Sequence, residues 1–186
     1  SGEGGAIVSS DLDIIEFCKD ARLLGVKKDT ENRYQGKRSW EFDVSHQGFR
    51  YHMSNIFAGI GIIQLARFEN EFKPKRQYLA KSYVERLTTI DQIDLFDIDF
   101  DLVVPHIFPI KVKQSRDELR DYLILHNIEA GVHYMPNHRL SFYKSETSLK
   151  NSEKLYEELL TLPLHPDVLE KDVITITDRI KKFFNH

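Results

Sequence analysis

The fold of the chain is decided by the stretch Val103-Val104-Pro105-His106-Ile107-Phe108-Pro109-Ile110-Lys111-Val112. Its β-branched and aromatic residues predict a strand, and its two prolines favour an edge position or an irregular start. A helix follows, with Ser115 as its cap, Glu118 at the capping-box position and Asn127 as its stop. A second strand is predicted over residues 128–134. It is followed by a helix over 152–160, a strand over 161–165 and a closing helix over 172–184. This βαβ pattern with added helices predicts a small α+β domain.

Upstream of this domain, the glycine turn Gly2-Glu3-Gly4-Gly5 precedes a predicted strand, Ala6-Ile7-Val8. Ser9, Ser10 and Asp11 are candidate caps for a helix that ends at Gly25, and Ser10 with Asp13 approximates a capping box. Cys18 lies among the apolar residues of this helix, which predicts a buried structural thiol rather than a nucleophile.

A polar stretch over residues 26–47 is predicted as a long loop, and a long helix begins at Ser54. Its apolar side is predicted to carry Ile56, Ile60, Ile63, Leu65 and Phe68. Pro74 is expected to break or kink the helix, which then resumes over residues 78–87. A helix, a kink and a second helix commonly bridge two parts of a molecule.

The composition is that of an ordinary globular protein, with 41% hydrophobic and 30% charged residues. The net charge of -3 gives no electrostatic reason to expect nucleic acid or anionic lipid as a partner. The single cysteine excludes an internal disulfide and fits a reducing compartment. No apolar run reaches the roughly 20 residues that span a bilayer, and no signal peptide is recognisable. We therefore expect a cytoplasmic protein with no membrane partner.

Four short blocks stand out in the chain, each weak alone. They are Gly2-Glu3-Gly4-Gly5, Gly48-Phe49-Arg50-Tyr51-His52-Met53-Ser54-Asn55-Ile56, Gly131-Val132-His133-Tyr134-Met135-Pro136-Asn137-His138 and Leu162-Pro163-Leu164-His165-Pro166. In this order they resemble the signatures of the DegT/DnrJ/EryC1/StrS family, the pyridoxal-phosphate-dependent aminotransferases of sugar nucleotides. The resemblance spreads through nearly the whole chain.

The resemblance implies an α+β architecture drawn from a fold-type-I pyridoxal phosphate transferase. Residues 1–70 would be a remnant of the large cofactor-binding domain, with its last strand and helices. Residues 71–186 would be the linking helix and the small C-terminal domain. The full-length enzyme, expected to be a homodimer, would transfer an amino group from an amino acid, with glutamate the expected donor. The acceptor would be the ketone of a nucleotide-activated sugar.

The second block places Arg50, His52 and the Ser54 hydroxyl at the start of a helix, where free N–H groups favour a phosphate. The resemblance implies that this segment reaches the cofactor phosphate in the partner subunit's active site. Many family members have asparagine at one of the first two positions, so whether Arg50 or His52 meets the phosphate stays open. The alternative is a solvated basic loop in which Ser54 only caps the helix.

The third block places His133, Tyr134 and His138 in one proline-bent turn. Their polar groups could bond a sugar, a nucleotide phosphate or the cofactor, although a histidine on a strand is more often structural. The resemblance implies that the turn borders the substrate pocket.

No metal site is predicted. Zinc would need a third ligand at suitable spacing, and the other histidines stand in separate elements. Asp97, Asp99 and Asp101 imitate the start of a calcium loop, but Leu102 occupies its glycine position and Phe108 its glutamate position.

In the family a Schiff-base lysine stands a few residues before the glycine turn, and no lysine of this sequence matches that position. We therefore expect no catalytic residue in the chain and no cofactor bound by it alone, with pyridoxal phosphate held by the full-length enzyme. The strand at residues 6–8 is then expected to be disordered, refolded or paired with another copy. Two alternatives remain open: a non-catalytic sugar-nucleotide-binding protein, and a purely structural dimerisation domain.

Overall fold

A computed structural model describes residues 2–26, 43, 44 and 46–185 of the chain. The chain divides into two compact units, Ser1–Ala66 and Arg67–His186. Most of the loop predicted over residues 26–47 lies outside the described residues. No helix among those described is long and apolar enough to cross a membrane.

The first unit begins with an extended segment rather than a strand. Ala6, Ile7 and Val8 belong to no strand, and Val8 is 94% exposed, so the predicted strand is wrong. A strand needs a neighbour to receive its backbone hydrogen bonds, and no described segment pairs with these residues. The backbone is extended but has no ladder to join.

Helix α1 (Leu12–Ala21) is capped by Asp11, whose carboxylate accepts hydrogen bonds from the backbone N–H groups of Asp13 and Ile14 at 2.9 and 3.4 Å. Asp11 was one of the three predicted caps. The helix ends at Ala21, and Gly25 takes a φ of +73° that suits glycine. Cys18 is only half-buried, so the expectation of a buried thiol is wrong. None of the α1 side chains is fully buried.

Backbone hydrogen bonds tie the residues after α1 to the second sequence block. Phe49 N–H donates to the carbonyl of Ala21 at 2.6 Å, and Tyr51 N–H donates to that of Arg22 at 3.0 Å. Leu23 and Arg50 form an isolated antiparallel bridge. This pairing fixes the backbone on which Arg50 and His52 stand.

Helix α2 (Asn55–Arg67) is apolar on every side and has no fully buried residue. The predicted apolar side therefore exists in the sequence but faces no core within the described residues. A helix that is apolar all round is normally covered on more than one face.

The second unit begins with a short π-helical segment, Phe68–Phe72, which leads into α3 (Lys73–Leu87). Pro74 stands in the first turn of α3, directly after the π-helical segment, and its ring has no N–H group to donate to the preceding turn. The helix therefore resumes at Lys73, and the prediction that it resumes at residue 78 is wrong. The irregularity expected at Pro74 falls in the i→i+5 turn just before it.

Three antiparallel strands form the sheet of the second unit in the order β1 (Ile93–Asp94), β2 (Phe108–Val112) and β3 (Leu159–Leu162). The predicted βαβ pattern would have placed parallel strands side by side, which is wrong here. Residues 103–107 are not part of β2, and β1 was not predicted.

Pro109 lies in the central strand, although its sequence favoured an edge. It faces Thr161 of β3, whose own N–H and C=O bond to Gly131 on the other side at 2.7 and 3.1 Å. This is a non-hydrogen-bonded pair, so the ring nitrogen of Pro109 points away from β3. On that side β1 reaches only as far as Asp94, opposite Lys111. No ladder hydrogen bond is lost, which is why the proline is tolerated.

Two further predictions need correction. Ser115 precedes α4 (Arg116–Leu125), but its φ of +60° is left-handed and its side chain makes no capping bond. The strand predicted over residues 128–134 is reduced to the single bridge between Gly131 and Thr161. The remaining helices, α5 (Lys150–Glu158) and α6 (Glu170–Phe184), lie within two residues of the predicted starts.

The hydrophobic core lies wholly in the second unit among the described residues, between α3, α4, α6 and the sheet. Two side chains of α3 also bond to the backbone of the fourth sequence block, residues 162–166. Tyr83 Oη donates to the carbonyl of Pro163 at 3.0 Å, and Arg76 Nη1 lies 3.1 Å from the carbonyl of Leu164. The largest fully buried side chains are Tyr83, Leu79, Leu87, Ile110, Leu119, Leu123, Leu160, Leu162, Ile180, Val112 and Val173.

Candidate functional site

The predicted phosphate-binding residues lie together at the start of α2. Ser54 Oγ accepts a hydrogen bond from the backbone N–H of Phe57 at 3.3 Å, so this hydroxyl caps the helix. Arg50 and His52 are exposed, and neither side chain bonds a described residue. The capping role of Ser54 is thus visible, while the side chains of Arg50 and His52 remain available to an anion.

A cleft of roughly 710 Å³ opens in the first unit beside these residues. It brings the glycine turn, α1 and His52 together, and most of its lining is apolar. Its wall comprises Glu3, Gly4, Gly5, Ala6, Ile7, Ile15, Cys18, Lys19, Arg22, Tyr51, His52 and Met53. The first and second sequence blocks, which start 46 residues apart at Gly2 and Gly48, therefore share one surface.

The donor set at the start of α2 fits a phosphate group. A guanidinium at Arg50 and an imidazole at His52 precede the first turn of α2 in the chain, and the N–H groups of a first helical turn have no acceptor within the helix itself. Arg50 is the stronger candidate, because a guanidinium is always charged and can make two parallel bonds to phosphate oxygens. The set therefore fits the phosphate end of pyridoxal phosphate.

In the second unit, His133 and Tyr134 form one contact pair. Their ring centres lie 4.8 Å apart in an edge-on arrangement, and the peptide bond between them is cis. Tyr134 is 79% exposed, whereas His133 Nδ1 is buried and has no hydrogen-bond partner among the described residues. His133 thus supports the edge of an aromatic ring that is open to solvent.

His138 belongs to a different contact group. Its Nε2 lies 3.0 Å from Glu153 Oε1, and its side chain is only 11% exposed. Glu153 also accepts a hydrogen bond from the backbone N–H of Leu149 at 3.0 Å. The bond from Leu149 and the second one from His138 hold the pKa of Glu153 below its ordinary value. The structure therefore separates the three predicted substrate residues into two neighbouring groups.

Two clefts adjoin at His138. The first, which we call the aromatic cleft, has a volume of roughly 350 Å³ and is lined by Tyr134, Pro136, Asn137, His138, Leu149, Ser152, Leu155, Tyr156 and Leu159. The second, the polar cleft, has roughly 430 Å³ and is lined by His138, Arg139, Lys144, Ser145, Glu146, Thr147, Ser148 and Glu153. One holds rings and apolar side chains, and the other holds charges and hydroxyls.

Sequence patterns did not identify Glu153, Arg139 or Tyr156 as members of this region. The guanidiniums of Arg116 and Arg139 lie 5.5 and 5.8 Å from the centre of the Tyr156 ring. Arg139 also approaches Glu153 at 3.7 Å. The only signal available was the position of Glu153 in the first turn of a predicted helix, which says nothing about a histidine 15 residues earlier. Among the described residues, no cluster of three or more histidine, cysteine or acidic side chains could hold a metal ion.

The profile of the DegT/DnrJ/EryC1/StrS aminotransferase family matches residues 1–181. The chain belongs to this family. The match confirms the resemblance carried by the four sequence blocks. It also confirms the α+β architecture, because the solved structures that the chain resembles are aminotransferases.

Among curated proteins, an uncharacterised protein of Methanocaldococcus jannaschii is 30% identical over 193 aligned positions, which cover 98% of this chain and 50% of that protein. The UDP-4-amino-4,6-dideoxy-N-acetyl-beta-L-altrosamine transaminase of Campylobacter jejuni is 28% identical, over 96% of this chain and 47% of the relative. The chain thus spans about half the length of the curated relatives it matches.

Among solved structures, the aminotransferase TlmJ from Streptoalloteichus hindustanus is 26% identical with a TM-score of 0.76, over 95% of this chain and 46% of that one. The Helicobacter pylori aminotransferase PseC, involved in pseudoaminic acid biosynthesis, gives a TM-score of 0.79 at 23% identity, over 95% and 47%. A sugar aminotransferase of Streptococcus pneumoniae, solved in a pyridoxal phosphate form, also gives 0.79 at 21% identity, over 96% and 45%.

Proposed function

We propose that these 186 residues are part of an enzyme that transfers an amino group from an amino acid, with glutamate the expected donor, to a nucleotide-linked keto-sugar. The observation that carries the proposal is the family match over residues 1–181. The Campylobacter jejuni relative, a UDP-4-amino-4,6-dideoxy-N-acetyl-beta-L-altrosamine transaminase, supports the substrate class. The reaction would serve amino-sugar biosynthesis in the cytoplasm.

The role proposed for the first unit is to hold the cofactor phosphate in the active site of a partner subunit. Pyridoxal phosphate, when bound, supplies the electron sink for the amino transfer. Arg50 would neutralise phosphate charge, His52 would donate a hydrogen bond to it, and the N–H groups at the start of α2 would orient it. Arg50→Ala in the complete enzyme should therefore raise the cofactor concentration for half-saturation more than Arg50→Lys does.

The role proposed for the second unit is to form part of the substrate pocket with His133, Tyr134 and His138. The exposed Tyr134 ring supports that role, and so does the Nδ1 of His133, which bonds to no residue that the structure describes. The Glu153 partner supports a fixed orientation of the His138 imidazole, because Nε2 must carry the proton that this hydrogen bond uses. The pocket would take the sugar-nucleotide end of the substrate.

We further propose that the 186 residues alone do not turn over, whatever longer protein contains them. No lysine in this sequence stands at the family position before the glycine turn. The test is to incubate the purified chain with pyridoxal phosphate, reduce with borohydride and measure the intact mass. A stoichiometric adduct at one lysine, together with amino transfer to a keto-sugar nucleotide, would contradict this proposal.

The exposed apolar helix α2 favours a second candidate, a structural unit that associates as a homodimer. Light scattering combined with titration of nucleotide sugars separates the candidates. A dimer that does not respond to nucleotide sugars would favour the structural role. Affinity for a nucleotide sugar without cofactor would instead favour a non-catalytic binding protein or the substrate pocket proposed above, and amino transfer by the complete enzyme decides between these two.

A further inference from the structure

One carboxylate oxygen of α5 bonds to both ends of a surface loop. Glu153 Oε1 lies 3.0 Å from Nε2 of His138, and it also accepts a 3.0 Å hydrogen bond from the backbone N–H of Leu149. Residues 139–148, which we call the lid loop, lie between these two contacts, and all ten are exposed. A compact surface loop whose ends meet at one point has the form of an Ω-loop.

The lid loop borders an open cleft instead of packing into the core. Six of the eight residues that line the polar cleft belong to the loop, and the other two are His138 and Glu153. Phe142, the largest apolar side chain of the loop, is 89% exposed, so burial of apolar surface contributes little to holding the loop in place. The contacts at the two ends of the loop therefore carry most of the stability of its closed position.

Apart from the bonds to Glu153 Oε1, the polar contacts of the lid loop are local or long. Ser145 N–H donates to the nearby carbonyl of His138 at 3.2 Å. Arg139 approaches the carboxylates of Glu153 and Glu157 at 3.7 and 3.9 Å, distances at which an exposed ion pair contributes little. The loop can therefore open as one unit once the two bonds to Glu153 Oε1 are broken.

The closed lid loop also occupies the imidazole of His138. Its Nε2 is bonded to Glu153, and its Nδ1 is buried and bonds to no residue that the structure describes. Neither ring nitrogen is therefore open to a ligand in this state. When Glu153 releases the imidazole, the Nε2–H group becomes a free donor in the polar cleft that His138 lines.

We propose that the lid loop opens and closes as a unit, that the two bonds to Glu153 Oε1 hold it closed, and that opening releases His138 Nε2 for the substrate. Glu153 is a positioning residue in this scheme, because it contacts no substrate and acts through His138 and Leu149. The inference rests on the proposed function in one respect only, which is that the sugar nucleotide is the acceptor that His138 meets.

Hydrogen–deuterium exchange and histidine modification of the 186-residue chain test the proposal together. Glu153→Ala should speed the exchange of peptides spanning residues 139–149 by at least about tenfold, because each hydrogen bond to a charged acceptor contributes about that factor. Diethyl pyrocarbonate, which reacts with accessible imidazole nitrogens, should modify His138 faster by a similar factor. The exposed His165 of the same molecule gives the reference rate.

Two further variants separate the bonds to Glu153 from general effects of charge on α5. Glu157→Gln is the matched control, because Glu157 lies on the same helix and approaches Arg139 only at 3.9 Å, and both rates should match those of the parent chain. Glu153→Gln keeps an acceptor oxygen but loses the charge, so its rates should fall between those of the parent chain and Glu153→Ala.

Unchanged exchange of residues 139–149 in Glu153→Ala would overturn the proposal. So would faster exchange of the loop with an unchanged rate of His138 modification, since the loop would then open without releasing the imidazole. An equal rise in exchange at residues 108–112 in both Glu153 variants would overturn it as well, because the whole unit would then be loosened. Neither measurement uses cofactor, substrate or turnover. Failure of amino transfer by the complete enzyme, with both rates as predicted, would therefore reject the proposed function and leave the lid standing.

Discussion

The two units of the chain contrast in what they bury. The second unit encloses the whole described hydrophobic core, whereas the first has no buried large apolar side chain among its described residues. Yet the first unit is rich in apolar residues, and α2 has isoleucine, leucine or phenylalanine on every side. The contrast teaches that the second unit has the features of a self-sufficient fold, and that the first has surfaces suited to being covered by another polypeptide.

The largest expected effect contrasts a leucine from each unit. Leu123→Ala, in the core between α4 and α6, should lower the free energy of unfolding by about 2–5 kcal/mol, because it leaves a cavity. Leu12→Ala, on the exposed side of α1, should change it by no more than about 0.5 kcal/mol. Urea unfolding followed by circular dichroism measures both. Equal losses would mean that the first unit has a core of its own.

The next effect concerns association of the chain through the exposed apolar helix α2. If a second copy of the chain covers this helix, the double substitution of Ile60 and Ile63 by glutamate should weaken association at least about tenfold. Each isoleucine contributes about 1.5–3 kcal/mol when buried, and a buried carboxylate is costly. Light scattering over a concentration series measures the dissociation constant. Leu102→Glu, at an exposed position of the second unit, is the control that should leave it unchanged.

A smaller effect tests how the second unit holds the fourth sequence block. Tyr83→Phe removes the hydrogen bond to the Pro163 carbonyl and should cost about 1 kcal/mol of stability. Burial raises the pKa of Tyr83, so its hydroxyl stays protonated and able to donate throughout the ordinary pH range. Tyr143→Phe, at an exposed position, should be neutral in the same urea titration. A neutral Tyr83→Phe variant would show that the block is held by other contacts.

The smallest effect is the pH dependence of the Glu153 contact. Its folded-state pKa is lowered, so the stabilisation is present above the ordinary glutamate pKa of about 4.3 and is lost as pH falls through the folded value. The melting temperature of the parent chain should exceed that of Glu153→Gln near neutral pH. The difference should shrink as the pH falls below the ordinary glutamate pKa and through the lowered folded-state pKa of Glu153. A difference that grows on acidification would reverse the sign and reject the contact.

The sequence predicted the second unit better than the first for a physical reason. The helices α4, α5 and α6 have strong local patterns, and their predicted positions are close to those observed. The strands depend on partners far away in sequence. Pro109 is tolerated in the central strand because β1 ends before it and no ladder hydrogen bond is lost. Residues 128–134 pair with β3 only at Gly131. Neither outcome can be read from the residues themselves.

The site shows the same division. The blocks that carry Arg50, His52, Ser54, His133, Tyr134 and His138 were recognisable in the sequence, because each is a compact run of unusual residues. The bond between His138 and Glu153 and the approach of Arg139 to Tyr156 were not, since they join the turn to a helix that begins 12 residues later. Such contacts depend on tertiary packing, which has no local signature.

The central claim is that the second unit is stable by its own hydrophobic core, whereas the first unit is stable only when another polypeptide covers its apolar residues. Hydrogen–deuterium exchange of the 186-residue chain tests this claim most directly. Because exchange reports the free energy of local opening, the buried segments should be the slowest. The account predicts strong protection of peptides from residues 108–125 and 159–184, and fast exchange of those from residues 11–26 and 50–66 at concentrations where the chain is monomeric. Equal protection of the two sets in the monomer would contradict it.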